Sequence, residues 1–193
     1  MLVVTGVGSN IFQCLLQLLP KWEKWEGRRI DLDSVDWPID ADRYLFCSGV
    51  INADLRETLN VNMIYPIRVS DFVLNENPKA RICIIGSESA YTWSYDALYA
   101  ASKVAIHRYV ETKRLPYPDQ QLVCVAPSII EDCGMTLRRK DKKALAKRAD
   151  ALPKKRWLKA MEVAKMVYHL LYVDAGYTTG VVIRMNGGAH CVR

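Results

Sequence analysis

The sequence predicts a shortened, doubly wound α/β fold, one domain over residues 1–193 with about six parallel strands and helices on both faces. Three observations carry this expectation. Short, continuous apolar runs recur at residues 1–5, 80–86 and 121–126, the pattern of strands covered on both faces. Longer stretches with helical spacing separate them. The first run passes through a glycine turn, Gly6-Val7-Gly8-Ser9-Asn10, straight into an apolar helix.

Taken in order, residues 1–5 form a buried strand and Ile11–Leu19 a helix stopped by Pro20. A strand, a tight turn and a helix start together make the phosphate cradle of dinucleotide folds, because free amides and the helix dipole both favour an anion there. Gly6, Ser9, Asn10 and Ile11 are the candidate contacts. Residues 21–27 read as a polar, aromatic connector, Arg29–Leu32 as a short strand and 34–42 as a loop. A gap beside strand one would bury unpaired backbone groups, so the Arg29–Leu32 strand is expected next to it. Asp31, or Asp33 as the near alternative, then reaches the carboxyl edge where such folds hold the adenosine ribose; both also read as simple loop or cap residues.

Residues 44–46 are the next strand, ending at Cys47-Ser48-Gly49, and a helix is expected over 54–75 with the polar Asn62 inside it. The run 80–86 is a central strand. Ser87 and Ser89 follow at its carboxyl end, where open α/β sheets place their chemistry. Tyr91, Trp93 and Tyr95 either wall a pocket or cover the next helix start. After the strand 121–126 comes the exit Pro127-Ser128-Ile129-Ile130. An amphipathic helix over 161–172 and a last strand over 180–185 complete the chain.

The stretch Tyr99-Ala100-Ala101-Ser102-Lys103 favours helix, which sets the Tyr99 phenol and the Lys103 ammonium on one face. A lysine charge beside a phenol favours the phenolate, so Tyr99 is expected to have a lowered pKa and to serve as an acid or base. Alone, the spacing also fits an ordinary amphipathic helix.

With its neighbours, Tyr99-Ala-Ala-Ser-Lys103 resembles the signature of the short-chain dehydrogenase/reductases, Rossmann-fold enzymes that use NAD or NADP. Thr5-Gly6, the 45–50 stretch, Asn62, Ser87, Val125-Ala126-Pro127-Ser128 and the terminal Asn186-Gly187-Gly188 stand in the family's order. The likeness runs from residue 1 to about residue 190 and is strongest over 82–135. It implies a carbonyl/alcohol oxidoreductase in which Tyr99 moves the proton, Lys103 assists and binds the nicotinamide ribose, Ser87 orients the substrate oxygen and Asn62 supports a proton relay. Gly6, Ser9, Asn10, Ile11, Asp31, Cys47, Ser48, Gly49, Pro127 and Ile130 would join Tyr99 and Lys103 around NAD or NADP. The family pattern also implies a homo-oligomer, dimer or tetramer. Departures stand at Asn10 and Phe12, where the family has glycines, at Ser128 for glycine, at Asp132 for threonine, and in the short adenosine side. They support a rival reading, a non-catalytic binding or scaffold protein with a degenerate cofactor site.

Half the residues are hydrophobic and a quarter charged, and no apolar run approaches a membrane span. The chain opens as a strand rather than a secretion leader, and the six cysteines lie singly, so reduced thiols, a cytoplasmic setting and no metal site are expected. The net charge of +6 is concentrated over 138–159. That run reads first as a solvated face, second as a lid attracting an anionic substrate or the cofactor phosphates, and a distant third as a nucleic-acid patch, since aromatic interleaving is nearly absent.

Overall fold

The structure, a computed structural model, describes residues 1–31, 37–92, 94–174 and 176–189. Six strands form one wholly parallel sheet: β1 (Leu2–Thr5), β2 (Trp25–Arg28), β3 (Arg43–Phe46), β4 (Arg81–Ile85), β5 (Gln121–Pro127) and β6 (Val181–Met185), in the order β2-β1-β3-β4-β5-β6. The registers are in step, with Thr5 beside Arg28 and Phe46, Phe46 beside Ile84, and Val125 beside both Ile85 and Ile183. Connections run to opposite sides of β1, so the crevice between the carboxyl ends of β1 and β3 is the topological switch point.

Alternation along each strand fills two cores. Leu2, Val4, Leu45, Cys83, Ile85, Val123 and Val125 face helices α1 (Asn10–Leu16) and α7 (Ala160–Tyr168). Val3, Tyr44, Phe46, Ile82, Ile84, Leu122 and Cys124 face α3 (Tyr65–Glu76) and α4 (Ala97–Thr112). Trp37 seals the second core. It stacks on Phe46 at 5.4 Å and donates from Nε1 to Tyr65 Oη at 3.0 Å, while Tyr65 donates to the Arg29 carbonyl at 2.9 Å.

The second strand departs from expectation. It lies beside β1, but over Trp25–Arg28 rather than Arg29–Leu32; Leu32 and Asp33 fall outside the described residues. Trp25 packs edge-on to Phe12 at 5.1 Å, and a Cβ on Gly27 would stand 2.7 Å from Val7 Cγ1, so the register is fixed by contacts across the first turn. As an edge strand it keeps its residues exposed or half-buried and so carries no apolar run.

The helix expected over 54–75 is α2 (Leu55–Leu59), a wider i→i+5 turn over Asn60–Ile64, and α3. A second such turn, His169–Val173, prolongs α7. The basic segment holds α5 (Gly134–Leu137) and α6 (Lys142–Ala151), of which only Leu145 is buried. Among the described residues no helix is long and apolar enough to cross a membrane, and no His, Cys, Asp or Glu cluster is arranged to hold a metal.

Candidate active site

Helix α4 starts at an N-cap, Asp96, whose Oδ1 accepts from Tyr99 N at 2.9 Å. This satisfies an amide that has no intrahelical partner and fixes where the first turn sits. One turn on, Lys103 enters the same space. Both are buried, Tyr99 9% and Lys103 3% exposed, and Nζ lies 5.6 Å from the phenol ring centroid.

Lys103 Nζ donates to the Ile85 carbonyl at 3.0 Å, anchoring the helix to the carboxyl end of β4. Burial pulls its pKa down to about 8. The Tyr99 pKa is raised rather than lowered as expected. Burial is the leading cause, a hydrogen bond from Ser87 opposes it, and the neighbouring Tyr95 and Asp96 add to it. Burial in a dry site penalises the charged form of each group, which raises the phenol's pKa and lowers the ammonium's.

Ser87 is 8% exposed and opens a short turn, its Oγ accepting from Ser89 N at 3.1 Å. Ser89 therefore serves Ser87 as a backbone donor, and the Ser87 hydroxyl keeps its own hydrogen to donate. Asn62 lies in the widened turn, 1% exposed, and staples Val50 with both ends of its amide: Oδ1 accepts from Val50 N at 2.9 Å and Nδ2 donates to Val50 O at 2.8 Å. A Cβ on Gly49 would stand 3.6 Å from Asn62 Oδ1, 3.7 Å from Met135 Cε and 4.0 Å from Lys103 Nζ, so these four residues meet at one place.

The turn after β1 is built by close approach. Gly6 has φ +73°, and a Cβ there would come within 2.7 Å of the Cys47 carbonyl and Ser48 N. Ser9 caps α1, its Oγ accepting from Phe12 N at 3.1 Å and lying 3.0 Å from Cys47 Sγ. Burial pushes the Cys47 thiol up to about 11. Ile11 is buried in the core, whereas Asn10 is exposed at the helix start. Phe12 is fully buried among Leu2, Leu15 and its neighbours, so its ring lies in the core. Gly8 is open, since a Cβ there would meet nothing within 4 Å.

At the far side Pro127 ends β5, and Ile130 bridges Leu158. Asp132 Oδ1 accepts from Ala160 N at 2.9 Å, engaging the start of α7. Asp31 is exposed three residues past β2, and Arg28 and Arg29 stand at the carboxyl end where the acid was expected. The structure thus gathers Ser87, Tyr99, Lys103, Asn62 and Gly49 and sets Gly6, Ser9, Cys47 and Ser48 beside them, with Asp31 next to Tyr65.

Three contributors escaped the sequence reading. His107, 4% exposed, accepts at Nε2 from Ser87 N at 3.3 Å, and a Cβ on Gly86 would overlap that nitrogen. Burial and the Lys103 charge lower its pKa to about 4, so the ring is neutral and able to accept. Its signal was the Tyr99, Lys103, His107 stripe at four-residue spacing. Glu88 takes a two-pronged ion pair from Arg184, Nε at 2.7 Å and Nη2 at 2.8 Å, tying the serine turn to β6. Arg184 also covers the Tyr91 ring at 3.9 Å, and Tyr91 packs on His107 at 5.1 Å. Tyr91 therefore closes over the helix, whereas Tyr95 lines a cavity; Trp93 lies outside the described residues.

The residues fit a nicotinamide dinucleotide. The glycine turn is open at Gly8, the amides of Asn10 and Ile11 have no intrahelical acceptor, and a buried ammonium stands at the carboxyl edge by the switch point.

Comparison with known proteins agrees in kind. A family model described as enoyl-(acyl carrier protein) reductase matches residues 50–190. The chain is 29% identical over 143 residues to 3-oxoacyl-(acyl-carrier-protein) reductase FabG of Buchnera aphidicola, a match covering 71% of this chain and 58% of that protein's length. A short-chain dehydrogenase/reductase structure from Brucella melitensis superposes with a TM-score of 0.81 at 20% identity, covering 99% of this chain and 96% of the other. Actinorhodin polyketide ketoreductase, crystallised with NADPH, gives 0.81 at 19% identity, covering 99% and 97%.

Proposed function

The chain belongs to the short-chain dehydrogenase/reductase family, and on that premise we propose that it is an NAD(P)-dependent oxidoreductase interconverting a carbonyl and an alcohol. The observation that carries this reading is the meeting of Ser87, Tyr99 and Lys103, all buried, at the carboxyl ends of β4 and α4's first turns. When bound, the cofactor supplies or takes the hydride. Tyr99 Oη gives the proton that the substrate oxygen gains on reduction and takes it back on oxidation. The Ser87 hydroxyl, with Ser89 N on its lone pair, donates to the same oxygen and holds it beside Tyr99. Lys103 supplies positive potential wherever the Tyr99 proton leaves, and it carries the ribose side of the cofactor. Asn62 holds the Val50 backbone, and with it Gly49, in register with Lys103. The Ser9-capped turn, with Gly6, Asn10 and Ile11, takes the phosphates, while Cys47, Ser48, Pro127 and Ile130 line the remaining path.

Arg29 favours NADPH over NADH, because a 2′-phosphate meets its charge just past the end of β2, where Arg28 is already ion-paired with Glu26 at 2.6 Å. Two of the departures behind the scaffold reading, Phe12 and Asp132, fall away from the ligand path: Phe12 lies in the core and Asp132 caps α7. The same reading carries a homo-oligomer and a cytoplasmic setting. Titration with NADPH and with NADH, followed by cofactor fluorescence, tests it. Saturable binding with NADPH the tighter is expected; no binding of either at millimolar concentration refutes the oxidoreductase.

A further inference from the structure

Beside the site, the connection from α5 to α6, with Arg148 of α6 and Ile51, Asn52 and Tyr95, lines an open cavity of about 430 Å³. Four basic side chains line it against one carboxylate, Asp141, which is already held by Arg139 through two hydrogen bonds of 2.9 and 2.6 Å. Arg138, Lys140 and Arg148 have no carboxylate partner within ion-pair distance among the described residues. Elsewhere in the basic segment Arg156 is paired with Glu162 and Lys159 with Glu131; the remaining lysines from 142 to 155 lie outside the cavity, so Arg138, Lys140 and Arg148 are the unpaired cations that share a concave surface. Positive groups converging on a cleft focus potential there and attract anions.

The cavity is joined to the reacting centre at three points. Met135 lines it and puts Cε against Gly49, beside Lys103. Tyr95 lines it too, and is near enough to Tyr99 to add to the cost of ionising the Tyr99 phenol. Asp96 links the wall to the helix, with Oδ1 on Tyr99 N and Oδ2 accepting from Asn52 N at 2.8 Å. Among the described residues Asn52 is one of two non-glycines at positive φ, 60°, a conformation that costs energy and is held here by that bond. Apolar Met135 and Ile51 supply a wall for a carbon chain, and the volume matches that of a small-ligand pocket.

We infer that this cavity is a subsite for an anionic group, a phosphate or a carboxylate, on the substrate remote from its reacting carbon, held by Arg138, Arg148 and Lys140. The inference rests on the oxidoreductase reading and names the substrate class of that site. A cation fork matches either anion, and binding energy from such a remote group orients the carbonyl at Tyr99.

The test titrates wild type and the Arg138→Ala/Arg148→Ala double variant with inorganic phosphate and, separately, with glutarate, at ionic strength held constant with sodium chloride. Thermal shift and calorimetry report binding, and NADPH is titrated into both proteins. Saturable binding of at least one anion to wild type, weakened ten-fold or more in the double variant, with NADPH affinity unchanged, supports the proposal. The preferred anion tells phosphate from carboxylate. Equal anion binding by both proteins, no stabilisation beyond the chloride control, or a parallel loss of NADPH affinity overturns it, the last by giving these cations to the cofactor. Absence of NADPH binding from both proteins would instead sink the oxidoreductase reading, a result separate from the anion titration.

Discussion

Replacing Lys103 with methionine is expected to make the protein more stable while removing its activity. The side chain is 3% exposed, and its pKa falls from 10.5 to about 8 because burial disfavours the ammonium. At about 1.4 kcal/mol per pKa unit, keeping that charge at neutral pH costs about 3 kcal/mol relative to the unfolded chain. Methionine removes the cost and fills similar volume. It also leaves the Ile85 carbonyl without the 3.0 Å bond from Nζ, a loss of about 1 kcal/mol. The net gain is about 1–2 kcal/mol, or about 2–8 °C in Tm for a chain of this size.

The pH dependence separates this cause from any other. A lowered lysine pKa means that between about pH 8 and 10.5 the folded state binds fewer protons than the unfolded one. Wild type therefore gains stability from this group as pH rises through that window and loses it as pH falls. Methionine has no such component, so the variant's advantage is full below pH 8 and gone by about pH 10.5. Urea denaturation of both proteins from pH 7 to 10.5 measures it. A variant less stable than wild type at pH 7, or an advantage that stays constant with pH, refutes the desolvated ammonium.

Other expectations follow from single contacts. Tyr99→Phe keeps the ring and its burial but removes the proton carrier, so turnover should fall by about 10²–10⁴ with NADPH affinity and Tm nearly unchanged; most of the activity surviving would end the acid/base assignment. Gly6→Ala puts a Cβ 2.7 Å from the Cys47 carbonyl and Ser48 N at φ +73°, and should lower stability by about 2 kcal/mol or more in denaturant melts. Arg184→Met leaves buried Glu88 without its fork and should destabilise by about 2 kcal/mol and loosen the Ser87 turn, seen as faster amide exchange over 87–91. His107, held near pKa 4 against an ordinary 6.5, should cost wild type about 1–3 kcal/mol as pH falls from 6.5 to 4. His107→Gln should flatten that slope, and an unchanged acid limb would refute the neutral ring.

What could be read from the sequence was whatever repeats with the period of its element. The runs 80–86 and 121–126 gave β4 and β5 within a residue at each end, because strands covered on both faces have nowhere to put polar residues. Tyr99 and Lys103 could be set on one face for the same reason. The edge strand could not. Trp25-Glu26-Gly27-Arg28 pairs on one side only, and its register depends on Val7 and Phe12, residues at least 13 positions away, while Arg29-Ile30-Asp31-Leu32 carries the stronger local signal. The widened turn at Asn62 was equally hidden, since it follows from an amide bonding to Val50 across the sheet edge. Nor does spacing reveal whether a buried lysine lowers its neighbour's pKa or only loses its own; that depends on how much water remains, here a cavity of about 10 Å³ beside Lys103, room for about one water.

The shortening itself has a structural logic. In the order β2-β1-β3-β4-β5-β6, β2 is the outermost strand on its side, and among the described residues no strand lies beyond it. The crevice is set by Gly6 abutting Cys47 and Ser48, by Lys103 on the Ile85 carbonyl and by Asn62 on Val50, all between β1 and β4. A short adenosine side therefore leaves these contacts at the β1/β3 switch point in place. On the proposed NADPH reading, Arg29 beside the Arg28–Glu26 pair is the charge this side offers a cofactor phosphate. Cofactor affinity should accordingly fall more steeply with salt than uncharged contacts would allow, and a titration of NADPH from 50 to 500 mM sodium chloride measures that slope directly. A flat response would mean that the shortened side grips its ligand without those arginines, and NADPH preference would need another source.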